Sequence, residues 1–399
     1  MKLIYLHQYF KKPTMNGGIR SYEFVKRLSL SGHDVIVVTS DTERCFKGWE
    51  IEKYEGFEIH WISVKYNNNF GFFHRIWAFF KFFLFSSIHV CKINSDKLFA
   101  TSTPLTVAFP ALCYKFFTKK PYIFEVRDVW PEVPIALGVI KSRFIIKVAK
   151  IIEKLAYKYA DSIIALSPDM RTSICGVTPN SKVYVIPNAS DIDSFLLEEN
   201  EISNLCDEYE IIRSQHEKIV FYTGTLGLVN NVSYLVELSC FSKGDIAFVI
   251  VGEGREKEKI FKLAQDKGVL GKTFYMLPAV KRNQLKFIHN IFDMAASTVL
   301  PIKQLYSNSA NKVFDAFASG TPILINHSGW IEDLIDNYKC GLALSENPSQ
   351  IEYDKLANFL YSSDFVSSSE ASSKLGKGKF YRESLFIKFK GVIENEESI

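Results

Sequence analysis

An asparagine, a lysine and an aspartate stand at positions 311, 312 and 315, inside the run Ser307-Asn308-Ser309-Ala310-Asn311-Lys312-Val313-Phe314-Asp315 that continues to Gly320-Thr321-Pro322. The run predicts a loop, a helix opening near Asn311 and closing at Gly320, and a strand over 322–325. A helix N-terminus leaves backbone amides unpaired. Lys312 and Asp315, three residues apart, share a helix face. Amides and a cation suit phosphate, and a carboxylate suits ribose hydroxyls, so the segment could hold a nucleotide. An ordinary capped helix with a salt-bridged face explains the same residues, and taken alone the segment favours that plainer reading.

Three glycine turns follow predicted strands: Asn16-Gly17-Gly18-Ile19-Arg20, Thr223-Gly224-Thr225-Leu226-Gly227 and Gly252-Glu253-Gly254. Glycine permits close backbone approach, and three such turns at equivalent places point to a phosphate-bearing ligand. No GxxxxGK[ST] occurs and no GxGxxG stands in dinucleotide context, which disfavours a kinase or a nicotinamide dehydrogenase. Glu125-Val126-Arg127-Asp128-Val129-Trp130-Pro131-Glu132 also follows a strand, so Arg127 and Asp128 could orient a ligand. A loop-bracing ion pair with Trp130 packed over the core explains that stretch equally well.

The elements that must position these residues alternate. Strands are predicted at 2–7, 34–39, 57–63, 97–101, 122–126, 162–166 and 182–186. Helices are predicted at 21–31, 75–93, 105–117 and 144–160, with a short one from Pro168. The pattern restarts with strands at 219–222, 246–251, 274–277, 294–300 and 322–325, interleaved with helices at 232–241, 256–267 and 284–290. Alternation of this kind argues parallel sheets covered on both faces. The expected architecture is α/β, two doubly wound Rossmann-like domains whose ligands bind beyond the carboxyl ends of the strands, in a cleft between the domains. The expected boundaries are 1–190, a polar linker 191–217, a second domain 218–375 and a C-terminal helix within 376–399 that packs back on the first domain.

With 399 residues the chain is too long for one core. Seven scattered cysteines, with no CxxC, support neither a disulfide framework nor a zinc site and favour a reducing compartment. The N-terminus runs straight into a strand and lacks a signal-peptide pattern. Residues 1–190 hold 26 Lys and Arg against 15 Asp and Glu, and the remainder holds 22 against 29. A basic half suggests an anionic surface, and with no nucleic-acid-binding signature a membrane is the better partner.

With these pieces in order, the chain resembles the nucleotide-sugar glycosyltransferases of family 4, with the two-domain GT-B fold. More closely, it is similar to bacterial O-antigen and capsule transferases grouped as L-fucosamine transferases. The resemblance covers nearly the whole chain through HQYFKKPTMNGGIRSYEFVKRL, EVRDVWPE, IIALSPDM, VIPNASD, FYTGTLG, FVIVGEGREKEKI and NKVFDAFASGTPI. It implies that Gly17 and Gly18 accommodate the donor diphosphate and the acceptor, and that Asp315, as the second acid of the E-x7-E motif, binds the donor ribose. The first acid falls on Ser307, and Asn311-Lys312 fits a variant that accompanies this change. Backbone amides around Val313 and Phe314 would hold diphosphate oxygens, with Gly224 and Thr225 nearby and Val280 meeting the base. The Arg and Lys that usually bind diphosphate in the second domain are replaced by Thr225 and Asn230. The charge must then fall to Lys312, Lys303, Arg20, Arg127, Lys281 or Arg282, of which Lys312 and Arg127, with Asp128, are the expected catalytic groups. The resemblance implies a retaining, metal-independent transfer with no cofactor, from a UDP-sugar such as one of N-acetyl-L-fucosamine or a related amino sugar, to a lipid-linked saccharide. Two rival readings remain, a nucleotide-sugar epimerase on the same fold and a non-catalytic scaffold.

Eight of the 33 phenylalanines lie between 70 and 85, in FGFFHRIWAFFKFFLF. Charges at Arg75 and Lys81 interrupt the run, so a helix lying in the membrane interface is expected rather than a spanning one. Its expected polar side carries His74, Arg75, Ala78, Lys81, His89 and Lys92, spoiled by Phe82 and Phe85. Phe73, Arg75, Trp77, Phe80 and Lys81 are the expected contacts with an anionic membrane surface. Together these features place the protein in the cytoplasm, peripheral on the inner face of the membrane.

Overall fold

A computed structural model describes residues 1–15, 17–65, 72–197 and 207–396, without the side chains of 72–76 and 79. The chain divides into two units, Met1–Pro187 joined by the residues from Phe386 onward, and Asn188–Leu385.

The first unit is built on eight strands: β1 (Lys2–Leu6), β2 (Asp34–Asp41), β3 (Trp49–Tyr54), β4 (Phe57–Ser63), β5 (Lys97–Thr101), β6 (Tyr122–Val126), β7 (Ser162–Ala165) and β8 (Val183–Val185). Their order is β3-β4-β2-β1-β5-β6-β7-β8. All neighbours are parallel except β3 and β4. The central strands are apolar along their length because both faces are covered. Ile4, Leu6, Val38 and Phe124 share one core cluster with Ala78 and Phe82 of the helix Phe72–Lys92, Ala111 of Ala108–Thr118 and Ala156 of Arg143–Tyr159. On the other face Phe24, from the helix Arg20–Leu30, and Phe99 pack against Phe389 of the C-terminal helix Arg382–Glu394.

The sequence reading passed over β3. None of its residues is buried, and charged Glu50, Glu52 and Lys53 break up Trp49, Ile51 and Tyr54, so it shows no apolar run. Its register with β4 is set by Glu55 and Gly56, both at positive φ, which form a two-residue hairpin turn.

The second unit holds β9 (Lys218–Thr223), β10 (Ile246–Val251), β11 (Phe274–Leu277), β12 (Met294–Ser297), β13 (Ile323–Ile325) and β14 (Gly341–Ala343), in the order β11-β10-β9-β12-β13-β14 and parallel throughout. The stretch expected as linker belongs to this unit. It carries the helix Asp207–Gln215, whose Tyr209 and Ile212 join the core, and Phe195, buried against His289. Two apolar side chains one helical turn apart were enough to draw a polar segment onto the core.

Each sheet has one place where strand order reverses. In the first, β1 leads to β2 on one side and borders β5 on the other; in the second, β9 leads to β10 and borders β12. Beyond the carboxyl ends of such a strand pair is a crevice between diverging loops. The glycine turns after β1 and β9 begin at these two places.

One buried acid makes a separate prediction. Glu153, the sole acid in Arg143–Tyr159, is buried, and desolvation, with Glu132 as a lesser cause, lifts its carboxyl from 4.5 to about 8. The folded state therefore keeps a proton that the unfolded chain releases above 4.5. The stability contribution is complete below that value and declines until the pH passes about 8. Glu153→Gln should flatten the decline and raise the melting temperature near the upper end of this window by roughly a few degrees. Thermal unfolding followed across the window is the check.

Candidate functional site

The first unit's crevice is framed by the ends of β1, β5 and β6. Gly17, at φ +141°, carries the chain past Lys11, whose Cγ would lie 3.1 Å from an added Cβ. Gly18 follows, and the helix Arg20–Leu30 then starts without a side-chain cap. Beyond β6, the Arg127 amide donates to Ser102 Oγ at 3.0 Å, and Thr103 Oγ1 donates to Asp128 Oδ2 at 3.0 Å. The Asp128 carboxylate is thus held by the loop after β5. The Arg127 guanidinium makes no hydrogen bond or ion pair among the described residues, which leaves it available to an anion. His7, just past β1, is buried with an unpartnered Nδ1. Desolvation and the Arg127 and Lys11 charges hold its imidazole well below its ordinary value, so it is neutral. The sequence reading quoted His7 within a motif and gave it no role; its place directly after a buried strand was the available signal.

Arg20 is not available for phosphate. Its Nη2 and Nε donate to Glu125 Oε1 at 2.8 and 3.1 Å, its Nη1 to the Pro187 carbonyl at 2.5 Å and its Nη2 to that of Ile186 at 2.9 Å. Thr101 Oγ1 donates to the other Glu125 oxygen at 2.6 Å. Both members of the pair are buried, so burial forces partnership, and four of the five guanidinium N–H groups are taken up.

In the second unit the helix Asn311–Ser319 begins after Ala310 with no side-chain cap. Asn311 is exposed, and Lys312 is half-buried. The Lys312 ammonium lies 4.2 Å from the Tyr222 ring centroid and 3.1 Å from its hydroxyl. Tyr222 is fully buried near the end of β9, and its hydroxyl donates to the Thr225 carbonyl at 2.8 Å. Lys312 Cε is 3.8 Å from where a side chain on Gly224, at φ +135°, would begin. A cation, a positive-φ glycine and an uncapped helix start therefore meet at the switch point of the second sheet. Asn230 donates to the Thr225 carbonyl at 2.8 Å, so the residue standing where a lysine is usual stiffens the turn instead.

The expected shared face of Lys312 and Asp315 divides. Asp315 is buried and its Oδ1 accepts from Arg282 at 3.1 Å, while Arg282 also reaches Asp191 at 3.2 Å and Arg382 pairs with Asp191. Desolvation raises the Asp315 carboxyl against the pull of Arg282. Arg282, one of the expected phosphate candidates, is thus committed to carboxylates. The other Asp315 oxygen has no hydrogen bond among the described residues. The Val313 amide is already donated to the Ala310 carbonyl at 3.1 Å, and the Val313 and Phe314 side chains lie in the core. Among the described residues the amides of Asn311, Lys312 and Phe314 have no such bond, so they are the ones open to a ligand at this helix start. Val280 packs against the same core.

The third glycine turn serves packing. A Cβ on Gly252 would lie 1.9 Å from the Gly224 carbonyl, and one on Gly254 would lie 2.3 Å from that of Leu226. The Gly224 amide donates to Val251 and that of Leu226 to Glu253. These glycines let one turn lie on another. Among the described residues no three His, Cys, Asp or Glu side chains gather as a metal site.

The aromatic helix Phe72–Lys92 turns one face onto the sheet and another to solvent. Ala78, Phe82, Ser86 and Val90 are buried one turn apart, whereas Trp77 is 65% exposed and Phe80, Leu84 and Ile88 are exposed with it. Of the residues read as its polar side, Ala78 is buried, Lys81 and His89 are half-buried and Lys92 is exposed, while the side chain of His74 lies outside the described ones. The half-buried polar groups are satisfied: Lys81 donates to the Ser63 carbonyl at 2.8 Å and His89 meets His60 at 2.8 Å. Lys81 therefore does not reach out to a membrane. The side chains of Phe73 and Arg75 lie outside the described ones. No helix among the described residues is long and apolar enough to cross a membrane.

Residues 17–194 match the model of Glycosyltransferase Family 4, and residues 209–378 match that of Glycosyl transferases group 1. An uncharacterised glycosyltransferase of Methanocaldococcus jannaschii is 23% identical over 196 residues, 48% of this chain and 49% of that protein, so the chain spans about half the length of this curated relative. Sucrose-phosphate synthase of Thermosynechococcus elongatus superposes with a TM-score of 0.79 at 13% identity, covering 99% of this chain and 98% of that one. HepE of Anabaena, in complex with UDP and glucose, superposes with a TM-score of 0.70 at 14% identity, covering 99% and 100%. At these identities the structural likeness speaks to the fold, which is GT-B.

Proposed function

We propose, from the premise that the chain is a GT-B glycosyltransferase with a family 4 half and a group 1 half, that it moves a sugar from a UDP donor to a lipid-linked saccharide at a membrane. The observation that carries this reading is the Lys312 ammonium held over Tyr222 beside Gly224 and the open amides of Asn311 and Lys312. Negative charge grows on the diphosphate as the bond to the anomeric carbon breaks. A fixed cation and a helix N-terminus placed there stabilise that charge without reorganising. Asp315, with one oxygen on Arg282, offers the other to the ribose hydroxyls. Thr225 and Val280 line the donor side. Uridine as the base draws support from the UDP held by HepE.

The first unit supplies the acceptor side. Asp128, fixed by Thr103, orients the acceptor hydroxyl, and the unpaired Arg127 adds positive charge. Gly17 and Gly18 give the backbone close access. The motif resemblance supports retention without an essential metal, an amino sugar such as N-acetyl-L-fucosamine, and a place in O-antigen or capsule synthesis. The exposed Trp77 and Phe80 support a peripheral position on the inner membrane face, where the acceptor's lipid lies.

Incubating the protein with bacterial membranes and a panel of radiolabelled UDP-sugars tests the reading. Label should pass to the lipid fraction from one donor. Interconversion of free donor epimers would instead identify an epimerase, and absence of both, with no nucleotide binding, a scaffold.

A further inference from the structure

The helix Arg143–Tyr159 carries five cations, Arg143, Lys147, Lys150, Lys154 and Lys158, spaced three or four residues apart, and all are exposed. Like charges at this spacing repel along a helix face. The fold returns little for them: Lys150 approaches Glu132 at 3.8 Å and Lys158 lies 5.6 Å from the Tyr159 ring centroid. The helix's one acid, Glu153, is turned into the core, so no negative charge of its own reaches the surface.

Beside the cationic stripe runs an apolar one. Phe144 is 75% exposed, and Val148 and Ile151, one and two turns on, are exposed as well. A groove of about 460 Å³ opens along the helix between Arg143, Ile146, Lys147, Lys150, Ile151 and Lys154. The neighbouring helix Ala108–Thr118 packs its Phe116 ring on Tyr159, 5.0 Å between centroids, and leaves Phe117 79% exposed. Its other side packs Phe109 on Phe83 of Phe72–Lys92, 4.9 Å between centroids. Three adjoining helices of one unit therefore show apolar side chains outward.

We infer that Arg143–Tyr159 is a docking helix for an anionic lipid bilayer. An uncompensated cationic stripe calls for a negative partner, and the parallel apolar stripe calls for one with an accessible hydrocarbon layer. A bilayer offers both. A nucleic acid offers no hydrocarbon for Phe144 and Ile151. This inference rests on the proposed action at a membrane and assigns the contact to a helix the sequence reading treated as ordinary.

The test uses the full chain and vesicles of phosphatidylcholine with or without phosphatidylglycerol. The parent should sediment with the phosphatidylglycerol vesicles, less so at high salt. The combination Lys147→Gln, Lys150→Gln and Lys154→Gln should weaken that partition about a hundredfold, three cations being removed. Phe144→Trp should report burial by a blue shift on the same vesicles. UDP binding, measured separately, should be unchanged in both variants. If the triple variant or Phe144→Trp shows no effect while Trp77→Ser with Phe80→Ser abolishes binding, this inference falls and the membrane reading stands. If the parent binds neither vesicle, both fall. Binding to DNA of equal charge density as tight as to the vesicles, and unaffected by Phe144→Ser, would also overturn it.

Discussion

Lys312→Met should lower the rate of sugar transfer at limiting donor by roughly 10²–10³-fold, the usual loss on removing one group that stabilises developing charge. Methionine keeps a chain of similar length over the Tyr222 ring, so the change isolates the ammonium. The fold should barely notice, since a cation–π contact at a half-exposed site is worth only about 0.5–1 kcal/mol. Most of the loss should appear as weaker binding of the diphosphate. UDP affinity should fall sharply while uridine affinity holds. The size of the effect follows from Asn230 and Thr225, which stand where family members carry basic residues and make a turn-stiffening bond instead. Arg282 is tied to Asp191 and Asp315 and cannot substitute. Lys312→Arg should restore part of the activity, because charge rather than stem geometry is required. An unchanged UDP affinity in Lys312→Met would remove Lys312 from the donor site.

Most of the fold could be read from residue patterns because buried parallel strands are apolar along their whole length. LIYL, VIVV, IVFY and AFVIV announce themselves. The elements that escaped had other sources of order. Strand β3 is held by a hairpin and an edge, not by burial. The helix Asp207–Gln215 is held by two side chains inside a polar run. The helix Phe72–Lys92 was legible as amphipathic, but hydropathy did not show which of its residues meet the sheet. Ala78 and Phe82 sit against the sheet, while Trp77 and Phe80 are exposed among the described residues.

For the site, sequence showed which residues carry charge but not whom they meet. Arg20 and Lys312 are both basic residues in the first turn of a helix. One is bonded to a glutamate 105 positions away; the other faces a tyrosine 90 positions away. Nothing local distinguishes them. The partner of Arg20 did leave a trace: Glu125 interrupts YIFEV, and a carboxylate inside a strand covered on both faces must have a cation close by. The same argument could have been made for Asp315, whose neighbours Val313, Phe314, Ala316 and Phe317 are all core residues.

Glu125→Ala should be the most damaging single substitution in the first unit, costing about 3–5 kcal/mol, because it leaves the Arg20 guanidinium charged and buried without its partner. Unfolding in urea should shift to lower denaturant accordingly, and soluble yield should fall. Arg20→Met with Glu125→Met removes the unpaired charge and should recover part of that loss. It should not recover all of it, since Arg20 also satisfies the Ile186 and Pro187 carbonyls and Thr101 gives its hydroxyl to Glu125. The pair reaches further than stability. It joins the start of the helix behind Gly17 and Gly18 to the end of β6, two residues before Arg127, and to the chain leaving β8. A double variant that folds should therefore still lose acceptor-dependent turnover, with UDP affinity falling far less because the Lys312 and Asp315 side chains lie in the other unit. Full activity in a well-folded double variant would show that apolar packing positions these loops as well as the ion pair does.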